Sequence, residues 1–269
     1  MSLAAKSLSL VLALAFAGPL LASDRSDLYT VTSVTLYSVT SVTSGTGEKN
    51  RDRALGPSLA DVLVKVSGDP SLLDDPRVAA MQEKAGTLVA TYDYRDLLNN
   101  RPPNHEQGTY DRPQYLTTTF DKAAIDAALK SLGPKPWLSR PQVVAFLSVE
   151  TMKGETFFVG GGGMAADDGK RSGMAADMRG SLMAAAERAG IPLLLSAETS
   201  SPDAAKAGEA VLSGLMAWRA EAKGWVADWT LVSRGRDYRW RDSGVGFDDA
   251  FRNAMRGTAQ ILSGNGRPE

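Results

Sequence analysis

The stretch FFVGGGGMAADDGKRS, Phe157 to Ser172, holds the ingredients of a phosphate cradle. A strand-like apolar run leads into glycines, then Gly-Lys, then a hydroxyl. In a nucleotide loop the glycines let backbone N–H groups wrap phosphates, the lysine reaches the terminal ones and the hydroxyl holds magnesium. The spacing departs from that pattern. With Gly169-Lys170 as the Gly-Lys pair, the leading glycine falls on Met164, and Gly163 is one residue too far. Arg171 follows the lysine where a hydroxyl is required, and Ser172 comes one late. Asp167 and Asp168 set negative charge where phosphates would sit, which repels them. GMAAD also occurs twice, at Gly163–Asp167 and Gly173–Asp177, so the segment reads as a duplicated strand-to-helix connection. Nucleotide binding here is the disfavoured third reading of the chain.

Other catalytic constellations each lack a part. His105 is the single histidine, so a histidine metal cluster is excluded. A serine–histidine triad would need this loop residue, and no Gly-x-Ser-x-Gly elbow supplies its serine. There is no cysteine, hence no thiol nucleophile, disulfide or thiolate metal site. Paired carboxylates stand at Asp74/Asp75, Asp167/Asp168 and Asp248/Asp249. Acid–base work would require burial to separate their pKa values. The first and last pairs precede helical patterns, where carboxylates cap N–H groups and complement the dipole. No cofactor is implied by these residues.

SRGRDYRWRDS interleaves Arg234, Arg236, Arg239 and Arg241 with Tyr238 and Trp240. Cations set between aromatics suit an anionic partner. Strand alternation offers a plainer account, with Tyr238 and Trp240 inward and Arg239 and Arg241 outward. Arg234, Arg236, Arg239, Trp240 and Arg241 are the candidate partner surface. A formal net charge of −1 argues against a general nucleic-acid binder.

The elements that must carry these residues follow from periodicity. LYTVTSVT (Leu28–Thr35) repeats as LYSVTSVT (Leu36–Thr43), one long strand or a hairpin in which Tyr37 and Val39 share a face. Leu55, Leu59, Val62, Leu63 and Val66 mark a helix with a kink or restart at Gly56-Pro57 and an end at Ser67-Gly68. A short helix follows Asp74 or Asp75. Two strands flank a polar loop, and Asp121 caps another helix. The proline-rich Pro134–Pro141 is the expected boundary. Beyond it come strand Gln142–Glu150, a helix from Met174 and the short apolar IPLLLS. Three strands follow, with Trp225, Ala227, Trp229 and Leu231 on one face of the middle one. A last helix aligns Phe247, Phe251, Ala254, Thr258 and Ile261. The sum is an α+β fold of two small units, 24–133 and 141–264, each a mainly antiparallel sheet with packed helices.

The N-terminus has the layout of a secretory signal peptide over residues 1–22. Lys6 precedes an apolar run from Leu8 to Ala17, and small residues follow, with cleavage after Ala17 or Ala22. Gly18-Pro19 interrupts the run, which is short for a membrane span. The expected location is periplasmic or secreted.

The blocks ALGPSLADVLVKVSGDPSLLDDPRV, YDYR, FDKAAIDAALKSLGPKPW, SRPQVVAFLSVE, AAAERAGIPLLL and GEAVLSGLMAWRAEAKGWVADWTLV resemble domain-of-unknown-function family 2066 in order and spacing. The octad repeat and the glycine-rich stretch depart from that family's pattern. The resemblance implies an exported proteobacterial protein and carries over no catalytic residues. The expectation is a non-catalytic binding or assembly module of the cell envelope, with another envelope protein or an anionic envelope component as partner. The alternative is an envelope enzyme with a carboxylate-based site.

Overall fold

The second octad supplies the first strand. In a computed structural model describing residues 36–98, 112–160, 169–195 and 210–268, β1 spans Ser38–Ser44. It pairs antiparallel with β3 (Pro113–Phe120), which pairs antiparallel with β2 (Val89–Asp96). Tyr37 and Val39 are buried, as the alternation predicts, whereas Val42 faces out. The outer face carries hydroxyls that bond across the strands, Ser38 to Thr119 at 2.8 Å and Thr40 to Thr117 at 3.0 Å.

Helix α1 (Glu48–Ser67) lies on the inner face and buries Leu59, Val62, Leu63 and Val66. It runs on through Gly56-Pro57 rather than restarting there. Pro57 is exposed, and a Cβ on Gly56 would sit 3.3 Å from Gln82 Cβ. Glycine thus admits the neighbouring helix α2 (Pro76–Gln82), which Asp75 caps by accepting from Arg77 N–H. Helix α3 (Lys122–Leu132), capped by Asp121, adds Ile125 and Leu129 to the same core.

The second sheet has six strands in the order β5-β4-β7-β8-β9, with β6 also on β4. These are β4 (Val143–Glu150), β5 (Thr156–Phe158), β6 (Leu193–Leu195), β7 (Ala210–Arg219), β8 (Gly224–Ser233) and β9 (Arg236–Val245). The β4·β6 and β4·β7 pairs are parallel and the rest antiparallel. Helices α4 (Gly169–Ala189) and α5 (Phe247–Ser263) cover one face. Trp225, Ala227, Trp229 and Leu231 all point into that core, as do Phe251, Ala254, Thr258 and Ile261. On α4 Met178 and Leu182 are buried, whereas Met174 near its start is exposed. The architecture is α+β, with a separate hydrophobic cluster behind each sheet.

Contacts divide the chain into Met1–Thr30 and Val31–Glu269, and both sheets belong to the second unit. The leader, the first octad up to Thr35, His105, and the stretch 161–168 with Asp167 and Asp168 lie outside the described residues. Of Gly169-Lys170 only the helical backbone is described, at the start of α4.

Candidate functional site

The last carbonyls of a helix have no partner within it. At the end of α1, Gly68 turns left-handed at φ 71° and donates its N–H to Val64 O. Ser67 Oγ donates to Leu63 O at 2.7 Å, and further donors come from within Pro134–Pro141 and from the C-terminal end of α5. Trp137 N–H donates to Val66 O at 2.8 Å, Asn265 Nδ2 to Ser67 O at 3.0 Å and Ser263 Oγ to Gly68 O at 3.1 Å. Arg140 donates from Nη2 to Lys65 O at 2.5 Å. Its Nη1 reaches Ala189 O at 3.1 Å and Gly190 O at 2.9 Å, at the end of α4. One guanidinium therefore serves the carbonyl ends of two helices, where a cation also complements both dipoles. It stacks 4.0 Å from the Trp137 ring. Burial lowers its pKa to about 10.

This junction brings α1, α4 and α5 together around a groove of ≈ 530 Å³, counting the solvent in its mouth. Asp61 and Lys65, one turn apart on α1, Arg188 on α4, and Arg252 and Arg256 on α5 line it. Arg188 donates to Asp61 Oδ2, and Arg252 to Asp249 Oδ1. Among the described residues no carboxylate lies within ion-pair distance of Arg256, though its charge acts on Asp61. Burial raises the Asp61 pKa despite Arg188 and Arg256, because desolvation of the carboxylate outweighs both cations. Lys65, 5% exposed, donates Nζ to Ser38 O at 3.1 Å. Burial brings its pKa down to about 8 against the pull of Glu187 and Asp61. Arg188, Arg252 and Arg256 stand on the groove wall, apart from the carbonyl ends that Arg140 serves.

The arginine–aromatic segment is divided by its own strand. Trp240, 8% exposed, joins the core rather than a partner surface. Its ring packs where a Cβ on Gly257 of α5 would meet Cε2 at 3.3 Å. Arg239 and Arg241 lie on the opposite, outer face because side chains alternate along β9. Arg241 forks onto Asp228 at 2.7 and 2.8 Å, and Arg239 lies 3.7 Å from Asp237. Arg236 is exposed at the strand's start. Arg234 and Gly235, at φ 50° and 72°, make the tight turn before it. Asp75 caps α2 as expected, whereas α5, with Gly246 as its N-cap, has no side-chain cap, and Asp248 and Asp249 in its first turn complement the dipole instead.

Residues 30–138 match a domain of unknown function, DUF8605. The sequence blocks pointed instead to family 2066. The match runs from before β1 to Leu138, so it contains Asp61 and Lys65 but none of the groove arginines. No curated protein matches. A solved structure titled "Crystal structure of uncharacterized protein" is similar at 13% identity, over 47% of this chain and 88% of its own, with a TM-score of 0.21.

Sequence reasoning missed the groove. The available signal was spacing: Asp61/Lys65 and Arg252/Arg256 are each four apart on helical segments, hence on one face. Among the described residues no group of three or more His, Asp or Glu could hold a metal, and no helix is long and apolar enough to cross a membrane.

Proposed function

We propose that this chain is an exported, non-catalytic binding module of the cell envelope that holds an anionic partner in the α1–α4–α5 groove. The observation that carries the binding reading is the convergence of Arg188, Arg252 and Arg256 on one groove, with no carboxylate within ion-pair distance of Arg256 among the described residues. Export and the envelope rest on the Lys6–Ala22 leader pattern and the resemblance to family 2066. The outer face of β9 is the less suited surface, since Arg239 and Arg241 already face Asp237 and Asp228.

The competing reading is an enzyme built on carboxylates. Asp61 favours it, as a groove carboxylate with its pKa raised by burial. Acid–base chemistry by a carboxyl pair would need a second acid beside it, and what Asp61 meets is Arg188.

The test is photo-crosslinking in cells from position 73, at the groove, and from position 239, on the outer sheet. The expected result is a discrete adduct from position 73 that Arg256→Glu abolishes. Adducts from position 239 alone would overturn the groove as the binding site.

A further inference from the structure

We propose that the β1 position of the first sheet accepts either copy of the duplicated octad, so that this strand has two registers eight residues apart. Nothing in this depends on the groove. Leu28–Thr35 (LYTVTSVT) and Leu36–Thr43 (LYSVTSVT) differ at one position, Thr30 against Ser38. The described residues begin with the second octad. Each side-chain role that it fills in the sheet has a matching residue in the first.

Leu36, Tyr37 and Val39 are buried, and Tyr37 Oη donates to Asp126 Oδ1 at 2.6 Å. On the outer face Ser38 Oγ lies 2.8 Å from Thr119 Oγ1, and Thr40 Oγ1 lies 3.0 Å from Thr117 Oγ1. Leu28, Tyr29, Val31 and Thr32 are the same residue types at the same spacing, and Thr30 keeps the hydroxyl of Ser38. Two further bonds accept on the main chain and ask nothing of the side chain. Phe120 N–H donates to Tyr37 O at 2.9 Å, and Lys65 Nζ donates to Ser38 O at 3.1 Å. A slip of one residue would turn the buried set outward, but a slip of eight is even and keeps each residue on its face.

Exchange is local. Of the described strands only β3 pairs with β1, so one ladder has to open. Gly45–Gly47 joins β1 to α1. In the second register Thr30–Leu36 takes the place of Ser38–Ser44, and Tyr37–Gly47 becomes the connection, eleven residues in place of three. Gly45 turns left-handed at φ 78°, which Tyr37 in its place would resist, so the longer connection leaves the strand by another path. Each doubling of a loop lowers its closure about threefold, so the second register is the minor state by about tenfold.

The chain has no cysteine, so pairs introduced into the full mature chain report the register directly. Residues opposed across an antiparallel pair stand within reach of a disulfide. Thr40→Cys with Thr117→Cys reads the first register, and Thr32→Cys with Thr117→Cys reads the second. Val31→Cys with Thr117→Cys is one residue out of phase. Thr40 is exposed and Thr117 half-buried on the outer face, so the reduced variants keep the fold, as thermal melts would check. Under mild oxidation the 32/117 pair should close within one chain about tenfold more slowly than 40/117, and the 31/117 pair about tenfold more slowly again. Adding Tyr29→Ala should slow the 32/117 pair about tenfold or more, because it removes the buried ring from the second register alone. Adding Tyr37→Ala should speed it, because it penalises the first. A 32/117 bond that does not form, forms only between chains, matches 31/117 in rate or ignores Tyr29→Ala would overturn the proposal.

Discussion

Arg140 donates to the carbonyl of Lys65 at 2.5 Å, across 75 residues of sequence, and with its other amino group holds the end of α4. The contact joins the carbonyl end of α1 to the second sheet's layer. Removing it strands buried carbonyls of two helices at once. Arg140→Ala should cost about 3 kcal/mol in urea unfolding, and Arg140→Lys, which keeps the charge but not the fork, should recover only part.

Lys65 gives the stability a pH dependence of known sign. Its amine keeps a proton up to the usual 10.5 in the unfolded chain but loses it near 8 in the fold, owing first to burial. Between those values the unfolded chain binds more protons, so stability rises with pH. The rise is about 3 kcal/mol, complete by pH 10.5 and absent below about 8. Asp61, Glu187, Arg140 and Arg188 surround the amine and set the residual field. Lys65→Met should flatten that limb of a pH series of urea midpoints relative to the unaltered protein.

Gly214 of β7 lies under the Trp229 ring. A Cβ there would stand 2.8 Å from Leu147 Cδ1 and 2.8 Å from Trp229 Cε3. Gly214→Ala should lose about 1–3 kcal/mol by overpacking. Gly190→Ala should lose a similar amount for a different reason, a left-handed φ of 67° with Arg140 Nη1 2.9 Å from the new carbon. Thermal melts of both, beside Gly180→Ala, where nothing lies within 4 Å, would check the order.

Asp61 competes with any anion for Arg188. Asp61→Asn removes that charge and releases a carboxylate from burial that already disfavours it. The position-73 crosslinked adduct should form in about threefold to tenfold higher yield from this variant than from the unaltered protein. An unchanged or lower yield would place the partner's negative charge away from Asp61.

Export predicts a processed chain. Expressed in a bacterium with its own leader, the protein should be recovered from the periplasmic fraction. Intact mass should correspond to a start at Gly18 or Ser23. A full-length mass in the cytoplasmic fraction would remove the envelope from the functional reading.

Local periodicity carried much of the fold. The two-residue alternation of Trp225, Ala227, Trp229 and Leu231 placed these residues on one face of β8, and all are buried. The helical stripe of α5 and the caps at Asp75 and Asp121 were legible for the same reason: each depends on neighbours within one or two turns. The arginine–aromatic segment was legible as alternation, but not as to which face would be covered. Packing of α5 against Trp240 decided that, and it left the arginines on the other side to pair with Asp228 and Asp237.

The groove needed the tertiary structure. The sequence by itself determined that Asp61 and Lys65 share a helix face, that Arg252 and Arg256 share another, and that α1 must end at Ser67-Gly68. It could not determine that these faces meet. Asp61 and Arg188 are 127 residues apart, and their approach depends on where the carbonyl end of α1 finds its donors. Trp137 and Arg140 supply them from within the proline-rich segment, and Ser263 and Asn265 from the end of α5 and just after it. A helix end requires partners but does not name them, and that choice set three helices around one groove.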